Sequence, residues 1–167
     1  MKTMKLFVML TVSILVLGVF GCVSTSGGAA VEEIVLYPTD ATIHSDRAVP
    51  QLEVEKPNDN LGYWHNTEEY VTWDVDIQKT MEYMITMRYA AWGENAGSSF
   101  LVEIGGQEIP GTFVSTSEAN DGYFAWKDLE IGKVTLEAGA QVLTLKVTKI
   151  VKEAAANILE LRIIPAK

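Results

Sequence analysis

Any chemistry in this chain has to come from carboxylates, two histidines, one cysteine and a set of aromatic rings. The sequence holds 22 Asp and Glu residues, His44 and His65, and a single cysteine, Cys22. It has no glycine-rich phosphate loop, no nucleophile elbow and no Cys/His cluster of metal-ligand spacing. His44 and His65 are far apart in sequence, each reads as a surface or hydrogen-bonded polar side chain, and the serines lack an adjacent base. Glu68-Glu69 and Asp74/Asp76 are the carboxylate pairs from which acid/base catalysis would be drawn. Asp74 and Asp76 share one strand face about 6.6–6.8 Å apart, close to the spacing of an inverting glycosidase pair. In so acidic a chain a solvated strand face accounts for them more simply. The aromatics say more. Tyr63, Trp64, Trp92, Tyr123 and Trp126 sit in or beside turn-like segments, whereas Trp73 and Phe100 fall on inward faces. Rings on loops of a rigid β-scaffold suit the stacking of an apolar sugar face, with a few polar groups fixing the hydroxyls. The plainer alternative is that the rings cap the ends of a core.

The cysteine has its own context. Lys2 and Lys5 precede Leu6–Phe20, a run of 15 residues without charge or proline. That length fits a signal-peptide core and is short for a bilayer-spanning helix, which needs about 20 residues. Val19-Phe20-Gly21-Cys22 resembles a bacterial lipobox, with Phe20 where a smaller residue is usual. Residues 1–21 therefore read as a lipoprotein signal peptide and Cys22 as the acylated first residue of the mature chain. One unpaired thiol in an exported protein suits lipid attachment better than a disulfide framework. Residues 22–32, rich in Ser, Thr, Gly and Ala, read as the lipidated N-terminus and a flexible tether. Residue 23 is valine, not the aspartate of an inner-membrane retention signal. The expected address is the cell envelope, on the outer membrane where the cell has one.

Residues 33–167 read as one domain. Loss of residues 1–21 removes Lys2 and Lys5, leaving 11 basic against 22 acidic residues and a formal charge of −11. That excludes nucleic acid as a natural partner and argues against docking onto anionic lipid by charge. The pattern is all-β, dominated by period-2 alternation. Val71, Trp73, Val75 and Ile77 share one face; Tyr83, Ile85, Met87 and Tyr89 share another; Phe100, Val102 and Ile104 a third. Gly105-Gly106 predicts a hairpin turn into 108–115, and Ala138-Gly139 joins 133–137 to 142–151. Shorter strands are expected near 34–37, 41–44, 51–55 and 123–130, a last one over 157–164, and a loop over 153–156. Nine to eleven short strands with frequent turns predict an antiparallel sandwich or barrel.

Several of these segments carry a resemblance. Leu61-Gly62-Tyr63-Trp64-His65-Asn66, Tyr70-Val71-Thr72-Trp73-Asp74-Val75 and Tyr83–Ala90 resemble the family 6 and family 35 carbohydrate-binding modules, and similar modules appended to fucosidases and sulfatases. Val134–Gly139, Leu143-Thr144-Leu145 and Asn157-Ile158-Leu159 extend the likeness, which runs from about Leu36 to Pro165. It implies a galactose-binding-like jelly roll of two antiparallel sheets. It also implies a non-catalytic glycan cleft between two loop rings, with a late asparagine bonding to hydroxyls. On this chain those positions are Tyr63, Trp126 and Asn157, with Trp64 or Trp92 as substitute rings. The structural calcium of such modules would fall on Asp40 and Glu160, although the usual early paired glutamate is missing and Glu160 stands in place of an aspartate. Two other classes stay open: an envelope protein-interaction module whose cleft is degenerate, and a glycan-degrading enzyme.

Overall fold

The computed structural model describes residues 30–117 and 123–166. The leader, Cys22 and most of the tether lie outside the described residues. Eleven strands follow in order: β1 (Ile34–Leu36), β2 (Thr42–His44), β3 (Glu53–Glu55), β4 (Asn60–Gly62), β5 (Tyr70–Ile77), β6 (Met81–Ala90), β7 (Ser99–Ile104), β8 (Gln107–Thr112), β9 (Lys127–Leu136), β10 (Gly139–Lys149) and β11 (Asn157–Pro165). They form two antiparallel sheets, one ordered β3-β4-β11-β6-β9 with β1 also on β11, the other β2-β5-β10-β7-β8. The fold is the expected jelly-roll sandwich.

Alternation builds the core. Every second residue of β5, from Val71 to Ile77, is buried, while Asp74 and Asp76 face outward into solvent. Opposite them across the sandwich, Tyr83, Ile85, Met87 and Tyr89 are the buried face of β6. A period of two is what a strand with one wet face requires. The Trp73 indole N–H donates to the Tyr37 carbonyl at 2.8 Å, which settles the one polar atom that this large core side chain carries.

The structure departs from the sequence reading at the short and irregular elements. Segments 123–130 and 133–137 are not two strands. A single β9 runs through Gly132, with Ile131 bulged between the Ile85–Gly132 and Thr86–Glu130 pairs. A bulge offsets the alternation by one residue, which imitates a strand break in the sequence. The strand near 51–55 shrinks to three residues, and β4 was not expected at all, because its Asn60, Leu61 and Gly62 are all buried and show no alternation. A second bulge, at Leu159, separates the Ile158–Tyr89 pair from the Glu160–Arg88 pair in β11. Strand β8 is a sheet edge and tolerates Pro110 there. Its Gly111 lies directly opposite Phe100, whose ring covers the glycine so closely that an added Cβ would come within 2.2 Å of it.

The chain reversals at one end of the sandwich form the region of interest. There Asn157 opens β11 opposite Ala90, Leu61 pairs with Ile158, and Lys127 opens β9 opposite Tyr89.

Candidate functional site

A cleft of about 320 Å³ lies at this end, lined by Glu55, Tyr63, His65, Tyr123, Phe124, Glu153, Ala154 and Asn157. Its volume is at the small end of ligand sites, which run from about 300 to 1,000 Å³. Four separate stretches of chain build it, and their positions have local causes.

Tyr63 follows β4 in a left-handed conformation with φ of 58°, an uncommon state for a bulky residue, and its ring is 50 % exposed. After that turn Trp64 drops fully into the core, and its indole N–H donates to the Glu69 carbonyl at 3.2 Å. Trp64 thus cannot offer a ring face to a ligand, contrary to the reading that allowed it as a substitute ring. The Trp64 carbonyl accepts the Ala155 N–H at 2.9 Å, and the His65 ring Nδ1 lies 2.6 Å from the Glu153 carbonyl. Since a carbonyl only accepts, Nδ1 carries the proton, and in the neutral ring Nε2 is left as an acceptor. These two bonds lock the 63–65 turn to the 153–155 loop.

On the opposite wall, the Asn157 amide donates to the Tyr123 carbonyl at 3.1 Å, while the Asn95 amide donates to the Tyr123 hydroxyl. Burial, and then the negative charge of Glu153, push the Tyr123 phenol above its ordinary range. Phe124, beside it, is 54 % exposed. The floor is Gly62. A Cβ there would come within 2.8 Å of the Glu55 carboxylate and 3.4 Å of both the Asn157 side-chain oxygen and the Asn60 amide nitrogen. A glycine there lets these three polar groups close around the backbone, where a side chain would have no room. The Asn60 nitrogen also donates to Glu55 at 3.2 Å, while its side-chain oxygen is buried and has no protein partner.

Of the residues expected from sequence, Tyr63 and Asn157 come together in this cleft. Trp126 does not line it. Trp126 is half-buried just ahead of β9, and Tyr123 and Phe124 of the same segment supply the second wall. Trp92 stands behind that wall, its ring 6.5 Å from Tyr123 and covered by the Lys152 ammonium at 5.8 Å. Glu55, His65, Phe124 and Glu153 had no sequence signal of their own.

The remaining candidates find structural roles. Glu69 is fully buried and clamps backbone. Asp74 and Asp76 border a shallow surface with Gln141 and Val142, and Asp76 also lines a hollow with Glu32, Glu33 and Lys79. His44 stacks on Tyr70 at 4.4 Å and bonds to the Thr72 hydroxyl at 2.8 Å. The donor set for calcium does not fit. No group of three or more His, Cys, Asp or Glu side chains assembles among the described residues. Glu160 already accepts two hydrogen bonds from Arg162, at 2.6 and 2.8 Å, and Arg162 reaches on to Glu33 at 3.3 Å. A guanidinium thus ties the last strand to the start of the domain where the resemblance had implied a metal at Asp40 and Glu160.

No family model matches the chain, and no curated protein matches it by sequence. Solved structures do. A family 35 carbohydrate-binding module from Clostridium thermocellum superposes with a TM-score of 0.64 at 20 % identity, over 81 % of this chain and 99 % of that one. The likeness is one of fold. A family 6 module of lichenase 5A from Cellvibrio mixtus, solved with cellotriose, gives 0.53 at 22 % identity over 80 % of this chain and 98 % of that one. An insecticidal crystal protein gives 0.60 at 14 % identity, covering 80 % of this chain and 21 % of that one. One architecture serves proteins of different kinds, so function has to be read from the cleft.

Proposed function

We propose that this chain is a lipid-anchored, non-catalytic glycan-binding protein of the cell envelope, and that the cleft of Tyr63, Tyr123, Phe124 and Asn157 is its sugar site. The observation that carries the reading is the cleft itself: exposed rings on two walls over a floor of convergent amide and carboxylate groups. That is the combination by which a sugar's apolar face and its hydroxyls are held together. The likeness in fold to carbohydrate-binding modules, one of them solved with cellotriose, supports it. A structure in which Tyr63 was buried would have favoured a protein-interaction module, and Tyr63 is half exposed.

Calorimetry of the full chain against a broad glycan panel tests the reading. Dissociation constants are expected from roughly 1 mM to 1 μM, since a few stacking contacts and hydrogen bonds are offset by association costs. Tyr63→Ala should weaken binding about five- to thirty-fold, through about 1–2 kcal/mol of lost stacking. Asn157→Ala should weaken it to a similar degree, because it removes a hydroxyl partner and also frees the Tyr123 carbonyl. Trp126→Ala should change affinity little. A blank panel, or a loss confined to Trp126→Ala, would reject the cleft.

The anchor has a separate test. Cys22→Ser should abolish acylation and shift the protein out of the membrane fraction, with the domain still folded. Intact mass of the wild type without a lipid adduct on Cys22 overturns the anchor and leaves the cleft untouched.

A further inference from the structure

The cleft has two carboxylates and no cation. Glu55 and Glu153 both line it, and none of Lys, Arg or a charged partner lines it among the described residues. Two neighbouring lysines are turned to other work, Lys56 pairing with Asp59 and Lys152 with Glu94 over the Trp92 ring, and Lys127, which opens β9 at the same end, does not line the cleft. Neither Glu55 nor Glu153 has an ion-pair partner among the described residues, and the only side chain bonded to Glu55 is the neutral amide of Asn60. The rings add to this, because an aromatic face attracts a cation. His65 presents an acceptor at Nε2 in its neutral form.

An ammonium group suits this set of partners. It would donate charge-assisted hydrogen bonds to Glu55, whose carboxylate oxygen lies over Gly62, and would meet ring faces on either wall. A uronate would bring a third carboxylate among two, with no donor stronger than an amide to meet it. We infer that the cleft selects amine-bearing sugars, glucosamine-type residues in a glycan, over neutral ones and rejects uronic acids. The inference rests on the cleft being the glycan site.

Three trimers of one backbone separate the possibilities: β-1,4-linked glucosamine, cellotriose and the corresponding cellouronate. Each is titrated calorimetrically against the full chain in a neutral detergent that carries no sugar headgroup. The glucosamine trimer should bind about two- to five-fold more tightly than cellotriose, the range expected of partly exposed charge pairs, and cellouronate more weakly than both. The gap should narrow as salt is raised from 50 to 500 mM, because screening acts on the charge term and leaves stacking. In Glu55→Gln the ratio of the first two affinities should fall towards one, whatever the absolute affinity. Glu153→Gln, on the exposed rim, gives the same readout should Glu55→Gln fold poorly. Tighter binding of cellotriose or cellouronate, or a ratio unmoved by salt and by both substitutions, overturns the inference while the cleft reading stands. Binding of none of the three overturns it as well, and a blank broad panel removes the cleft reading with it.

Discussion

Trp73→Ala should lower the melting temperature by about 10–20 °C, the equivalent of about 3–5 kcal/mol for an aromatic-to-alanine change in a packed core. Trp73 is among the largest fully buried side chains, sits mid-strand opposite Leu143, and holds the Tyr37 carbonyl through its indole N–H. Alanine leaves a cavity that the two sheets cannot close without shifting, and it deprives that carbonyl of its donor. Trp73→Phe separates the two effects: it retains most of the buried area and loses the hydrogen bond, so its cost should be about 1–2 kcal/mol. Equal melting temperatures for wild type and Trp73→Ala would mean that the register of β5 is wrong.

The second large effect is expected at Glu69, and it depends on pH. The carboxylate is fully buried and accepts the Ser45 hydroxyl and the Gln51 N–H on one oxygen, each at 2.9 Å, and the Leu52 N–H on the other at 2.8 Å. One side chain thus fastens the 45–52 segment to the start of β5. Burial, the largest single influence, pushes its pKa up; the bonds from Gln51, Leu52, Ser45 and Asn66 together outweigh that and hold it below the ordinary carboxylate range. A depressed acid stabilises the fold fully above its unfolded value, about 4.3, and loses that contribution as pH falls through the lower folded value. Glu69→Gln turns a donor towards donors and leaves a buried N–H unmatched. It should cost about 2–4 kcal/mol at pH 7. The difference between the two proteins should shrink as pH drops from 5 towards 3. Melting curves of both across that range are the check, and a constant difference would show that the carboxylate charge is not what the clamp uses.

How much of this could be seen in the sequence follows from which interactions are local. Strands β5, β6 and β7 were legible because each buries one face along its length, and burial writes itself into every second residue. Strand β4 was not, since both its faces are covered and Asn60 is as buried as Leu61. The cleft was half legible. Tyr63 and Asn157 were found through a resemblance, but Glu55, His65, Phe124 and Glu153 meet only because four distant segments end at the same edge of the sandwich. The choice between Tyr63 and Trp64 shows the limit well. Two adjacent rings in one turn look equivalent until the left-handed backbone at Tyr63 and the waiting Glu69 carbonyl decide which goes inside. The surroundings of Glu160 were hidden for a similar reason: its bonds to Arg162, two residues along the same strand, are a matter of side-chain placement.

The pairing of β1 with the far end of β11 separates the start of the domain from the cleft. Ile34 lies opposite Ile163, whereas the cleft residue Asn157 opens the same strand. Six residues at about 3.3 Å each place those two points about 20 Å apart. The polypeptide therefore enters the domain at one end of the sandwich, and the cleft lies at the other. Under the anchor proposed at Cys22, the eleven residues 22–32 would add no more than about 3.5 Å apiece, so the cleft would stand no further than about 60 Å from the bilayer.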